Sequence, residues 1–130
     1  MDTGQTQRPF SKYKDLIVWK ETKNLVLLTY KITDKFPKSE EFALKNQIRR
    51  AVISILSQIA EGWLRNTTKD KLHFLDIALG SLLEVEAQMD VSKDLNYINE
   101  KDYSDFDNLR ARVSFLLYKY TSKIKENSNL

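Results

Sequence analysis

Six polar residues, Gln47, Arg50, Ser54, Gln58, Glu61 and Arg65, recur at spacings of 3-4-4-3-4. On a helix that spacing makes one continuous ridge over about five turns. Side chains of these types recognise by hydrogen bonds and charge. A solvated face is the ordinary reading of such a ridge. Here, however, Gln, Ser and Arg stand where an exposed face would favour Glu and Lys, and its small members admit a second backbone at close range. Downstream lie Glu84 and Glu86. If the chain turns back near Asn66-Thr67, these carboxylates come level with Arg49 and Arg50. On its helical wheel Glu86 sits beside Leu72, Leu75 and Leu79, where an unpaired carboxylate is costly. A pair between Arg49 or Arg50 and Glu84 or Glu86 is therefore expected, within one chain or between two.

Bond-making chemistry has little to work with. His73 is the sole histidine, and its wheel position is shared with Asp76, Gly80 and Glu84. Ser54, Ser57 and Ser81 have no histidine near them to act as base. A di-metal carboxylate bundle needs Glu-x-x-His on facing helices, and the third residue after Glu86 is Met89. Cysteine is absent and no glycine-rich phosphate loop occurs. The expectation is a protein that is not an enzyme and takes no metal or cofactor.

Charge offers more. The net charge is +3, with 7 basic and 4 acidic residues over 1–37, and 3 basic and 6 acidic over 67–95. Such asymmetry can steer a polyanion to one face. Taken alone, it is most simply read as helices of opposite sign lying side by side. Lys45, Arg49, Arg50, Arg65 and Lys69 are the candidate phosphate contacts.

These residues need long helices to carry them. Three Gly and two Pro in 130 residues argue against a β-rich fold. One domain of this size buries enough surface for a single core. The pattern predicts helices at about 15–35, 40–65, 68–95 and 100–126. Phe36-Pro37 stops the first. Ser39 is a candidate N-cap for the second, Thr67 with Asp70 for the third, and Asn99 for the fourth. Residues 1–12 and 127–130 are expected to be flexible. Connections of about four residues force antiparallel neighbours, giving an all-α, up-down-up-down four-helix bundle. The polar N-terminal residues and the lack of a long apolar run imply neither a secretory signal nor a membrane span, and hence a cytoplasmic location.

The helices carry more apolar surface than one core requires. The fourth has a clean stripe, Phe106, Leu109, Val113, Leu116, Leu117, Tyr120 and Ile124, yet Phe115 and Tyr118 point elsewhere. The second sets Leu44, Ile48, Ala51, Val52, Ile55, Ile59 and Trp63 on its main face, with Phe42, Ile53 and Leu64 on a flank. Aligned surplus of this kind predicts a contact surface for further copies of the chain.

Several strings resemble one family. They are Tyr13-Lys14-Asp15-Leu16-Ile17-Val18-Trp19-Lys20, Tyr30-Lys31-Ile32-Thr33-Asp34-Lys35-Phe36-Pro37, Gln47-Ile48-Arg49-Arg50-Ala51 and Ser54-Ile55. Ile59-Ala60-Glu61-Gly62, Phe74-Leu75-Asp76-Ile77-Ala78-Leu79-Gly80-Ser81 and Glu84-Val85-Glu86 follow. Together they resemble the bacterial four-helix-bundle proteins encoded by intervening sequences in 23S ribosomal RNA genes. The accessory variability proteins of diversity-generating retroelements are related to these. The resemblance spans about residues 13–98. It implies a left-handed bundle that closes into a homopentameric ring and has no catalytic activity. It also implies RNA or DNA as a partner and, in the retroelement branch, a reverse transcriptase. The sequence departs from the family at Leu56, where Pro is usual, and at Gln58, where Asn is usual. Without that Pro, the second helix should run straighter.

Overall fold

A computed structural model describes residues 12–128. Of the expected loose ends, residues 1–12 and 127–130, the stretches 1–11 and 129–130 lie outside these, while Lys12 opens a 3-10 turn and residues 127–128 continue the last helix. After a 3-10 turn over Lys12–Asp15 come α1 (Ile17–Thr33), a second 3-10 turn (Lys38–Glu40), α2 (Leu44–Leu64), α3 (Thr68–Asp94) and α4 (Glu100–Ser128). No strand occurs among the described residues.

Most boundaries follow local chemistry. The Thr67 hydroxyl accepts from the Asp70 N–H at 3.1 Å and opens α3. The Asn99 side-chain oxygen accepts from the Asp102 N–H at 2.7 Å and opens α4. At the end of α3, Asn96 takes a left-handed φ of 63°. Its N–H reaches Lys93 O, and the Tyr97 N–H reaches Ser92 O, both at 2.9 Å. This is the paired closure that Asn or Gly at that position permits. α4 runs on to Ser128, two residues beyond its expected end.

The start of α2 corrects the sequence reading. Ser39 does not cap it; the helix begins at Leu44, behind an Ala43 that makes no side-chain cap. Glu40 is held by the α3–α4 connection, where the Tyr97 hydroxyl donates to its Oε2 at 2.8 Å. Its Oε1 accepts from the Leu44 N–H at 3.3 Å. Residues 38–43 therefore wrap as turns. Phe36 packs beside them, buried, with its ring 5.4 Å from that of Tyr97.

The helices pack in an antiparallel ring of four. On α2 and α3, Ser54 meets Ser81 and Gln47 meets Gln88, so the two chains of contacts run in opposite senses. Between α1 and α4, Glu21 meets Arg112, and just past the end of α1 Lys35 meets Asp102. On α3 and α4, Glu86 meets Arg110 and Asp90 meets Tyr103. Leu25, Ile48, Val52, Ile55, Ile59, Leu82, Val85, Met89, Phe106, Val113 and Leu117 fill the centre. Of the expected α4 stripe, Leu109, Leu116, Tyr120 and Ile124 are only half-buried at its margin.

The α2–α3 contact is the most extensive. Small residues permit it: Ala51, Ser54 and Gly62 on one side, Ala78 and Ser81 on the other. A β-carbon at Gly62 would stand 3.3 Å from the Lys71 carbonyl oxygen and 3.4 Å from Phe74 Cβ.

α1 packs on α2 and α4, and α3 packs on the same two. α1 and α3 therefore occupy opposite corners. α1 and α2 are both net basic and α3 is net acidic; α3 lies beside α2, as the side-by-side reading expects, and diagonal to α1. Among the described residues no helix is long and apolar enough to cross a membrane.

Candidate functional site

The ridge on α2 splits into three parts. Its middle faces α3: the Ser81 hydroxyl donates to Ser54 at 2.9 Å. The Gln58 amide oxygen, and that of Gln88 level with Gln47, are buried without a hydrogen-bond partner among the described residues. Such groups cost about 1–3 kcal/mol each. One end opens to solvent as a polar depression lined by Phe42, Asn46, Gln47, Arg50, Ala51 and Glu84. At the other end Arg65 pairs with Glu61 and lies over the Phe74 ring, 4.6 Å from its centroid.

The expected Arg–Glu pairing does not form within the chain. Arg49 turns to α1, donating to the Thr33 hydroxyl and the Tyr30 carbonyl, each at 3.0 Å. Its guanidinium covers the Tyr30 ring at 4.3 Å and stands 3.8 Å from Asp34. The cause is local: a cation beside the carbonyl end of α1 is favoured. Glu86 does find a cation, but on α4, where Arg110 reaches it at 3.1 Å and also holds Asp107 at 2.9 Å. Arg50 and Glu84 share the depression without an ion pair.

The five candidate phosphate contacts do not form one patch. Lys45 is buried and bonded to Glu41 at 3.0 Å, which removes it from any external anion. Arg49 and Arg65 are engaged as described. Arg50 is exposed near the start of α2, and Lys69 is exposed beyond its far end. About 1.5 Å per residue of helix separates these ends by roughly 20 Å.

The apolar surplus is real surface. Phe42 is 93% exposed and Tyr118 71%, and Ile53, Leu64 and Phe115 are exposed as well. Phe42, Ile53 and Leu64 belong to the α2 side. Tyr118 lies beside the α3–α4 groove, which has a volume of about 270 Å³ and is floored by the buried Leu75 and Leu117. Leu79 flanks this groove, and Leu83 lines the next depression along it. These two extend the set beyond the sequence expectation. Their signal is Leu72, Leu79 and Leu83 at spacings of 7 and 4, a strip on α3 separate from its core face.

Two further polar anchors were not expected. Lys71 donates to the Trp63 carbonyl at 2.9 Å and to that of Gly62 at 3.4 Å, closing the end of α2, and burial pushes its pKa down. Glu21 is held below the ordinary carboxylate range, first by the hydrogen bond from Arg112 and then by that from Asn24.

Fold and surface define an antiparallel four-helix bundle with a polar seam between α2 and α3 and two separate exposed apolar strips. The chain belongs to the 23S rRNA-intervening sequence protein family, whose model matches residues 14–119. That match reaches into α4, past the residues 13–98 of the sequence resemblance. Among solved structures, the chain is similar to a protein of unknown function from the S23 ribosomal protein family of Bacteroides thetaiotaomicron. The two share 22% identity and a TM-score of 0.76 over 84% of this chain and 98% of that one. No curated protein matches.

Proposed function

We propose that this protein is a non-catalytic scaffold that assembles with copies of itself, as a homopentameric ring, and acts as an adaptor for RNA or DNA. The exposed apolar surface carries the reading. The core is already full, yet Phe42, Ile53 and Leu64 remain in water on one side, and Leu79, Leu83 and Tyr118 on another. Two different patches per chain suit a head-to-tail interface, which makes a ring when its rotation closes. The family's name, with its reference to 23S rRNA, supports a nucleic-acid connection.

Sedimentation velocity on two variants tests the assembly. Phe42→Asp and Tyr118→Asp each place a charge in one patch and should each dissociate the ring. Mixed together, each retains the patch the other lacks, so a dimer should form and growth should stop there. Two variants that remain as large as the parent would contradict the reading.

A second reading, a protein-binding scaffold holding a partner such as a reverse transcriptase, draws support from the engaged state of Lys45, Arg49 and Arg65. Under it, affinity capture from the native cell recovers a defined protein and no nucleic acid.

A further inference from the structure

We infer that nucleic acid docks on the outer face of α1 and the 3-10 turn before it, through Lys14, Lys20, Lys23 and Lys31, and not on the α2 arginines. The inference rests on the adaptor reading above and gives it a location.

Three observations converge on this face. All four lysines are exposed, and none has a carboxylate within 4.0 Å among the described residues. The acid within the body of α1, Glu21, is drawn away to α4 by Arg112, with Asn24 donating to the same carboxylate at 2.8 Å. The outward strip is thereby left basic. The net acidic α3 sits at the diagonal corner, away from this face, and among the ion pairs of the acids that open α4 the one toward α1 goes to Lys35, not to these four lysines. A face of one sign backed by a low-dielectric core attracts polyanions.

The strip also has a place for a base. Lys14, Trp19, Lys20, Lys23, Asn24 and Leu27 line a shallow depression of about 540 Å³. Trp19 is half-buried, held edge-on by Tyr13 with ring centroids 5.3 Å apart, and the Lys23 ammonium lies 5.7 Å from its ring. Leu27 is exposed beside it. Cations that follow a backbone, next to an apolar and aromatic floor, are the combination that binds unpaired strands. From Lys20 to Lys31 the helix advances about 16 Å, enough to meet several phosphates. Single-stranded RNA or DNA is thus the ligand class.

The test is fluorescence anisotropy with a short labelled single-stranded RNA, its DNA equivalent and the matched duplex, across a salt series. The parent is compared with a triple variant, Lys20→Gln, Lys23→Gln and Lys31→Gln, and with a control carrying Arg50→Gln and Lys69→Gln. Circular dichroism and light scattering establish that each keeps its fold and mass. The triple variant should bind single strands about tenfold more weakly or worse, and its log-log salt slope should fall by about two, at about 0.7 per lost phosphate contact. The control should stay within about twofold of the parent. A triple variant that binds like the parent overturns the location while leaving the adaptor reading intact. A parent that binds no nucleic acid at any salt overturns both.

Discussion

Glu40 serves two neighbours, accepting from the Leu44 N–H and from the Tyr97 hydroxyl, and so ties the start of α2 to the α3–α4 connection. Glu40→Ala should cost about 0.5–2 kcal/mol, as loss of a helix cap does, measured by urea denaturation. The Tyr97 phenol is correspondingly held above its ordinary pKa, chiefly by that hydrogen bond. Glu21 supplies a pH test. Its folded pKa is depressed, so its contribution is present above the unfolded carboxylate range and lost as pH falls through the folded value. The pair is partly solvated, which limits its worth to about 1 kcal/mol at most. The difference in Tm between parent and Glu21→Gln should therefore be largest near neutrality and shrink from about pH 5 downward. A difference independent of pH would contradict the role. Thr67 and Asn99 were legible as caps because the bond is made within three residues. Ser39 misled, because a partner 57 residues away claims the neighbouring Glu40. The need for partners at Arg49 and Glu86 was equally legible, but which partner is decided by which helix each side chain faces.

The helices follow from the apolar periodicity, their antiparallel direction from the short connections, and the α2–α3 contact from its small residues. Gly62 and Gly80 separate propensity from packing. Gly80 has open space where a β-carbon would go, so Gly80→Ala should stabilise by about 0.5–1 kcal/mol through helix propensity alone. At Gly62 the same gain meets the α3 backbone at Lys71, a wall that cannot rotate away, so Gly62→Ala should be the less stable of the two. Thermal melts that reverse this order would argue against the close approach of α2 and α3. In α4, Leu117→Ala should cost about 2–5 kcal/mol, and the half-buried Leu116 clearly less. The wheel alone could not rank those two, since both lie on the inward stripe; burial depends on where α1 and α3 press against it. The α2 ridge was legible as special, but its division into a buried seam and two solvent-facing ends depends on the position of α3.

Across the whole molecule, two properties remain unspent by folding: apolar strips on two sides, and a basic corner diagonal to an acidic one. The surplus strips on α2 and α4 could be read from the wheels, whereas the diagonal could not, because it depends on the circular order of packing. Assembly is the claim on which the function rests. Native mass spectrometry, backed by light scattering on dilute sample, measures it directly. A homopentamer gives a particle of five times the 15.3 kDa chain mass, the expected result. A folded particle of 15.3 kDa that persists as concentration rises would contradict it.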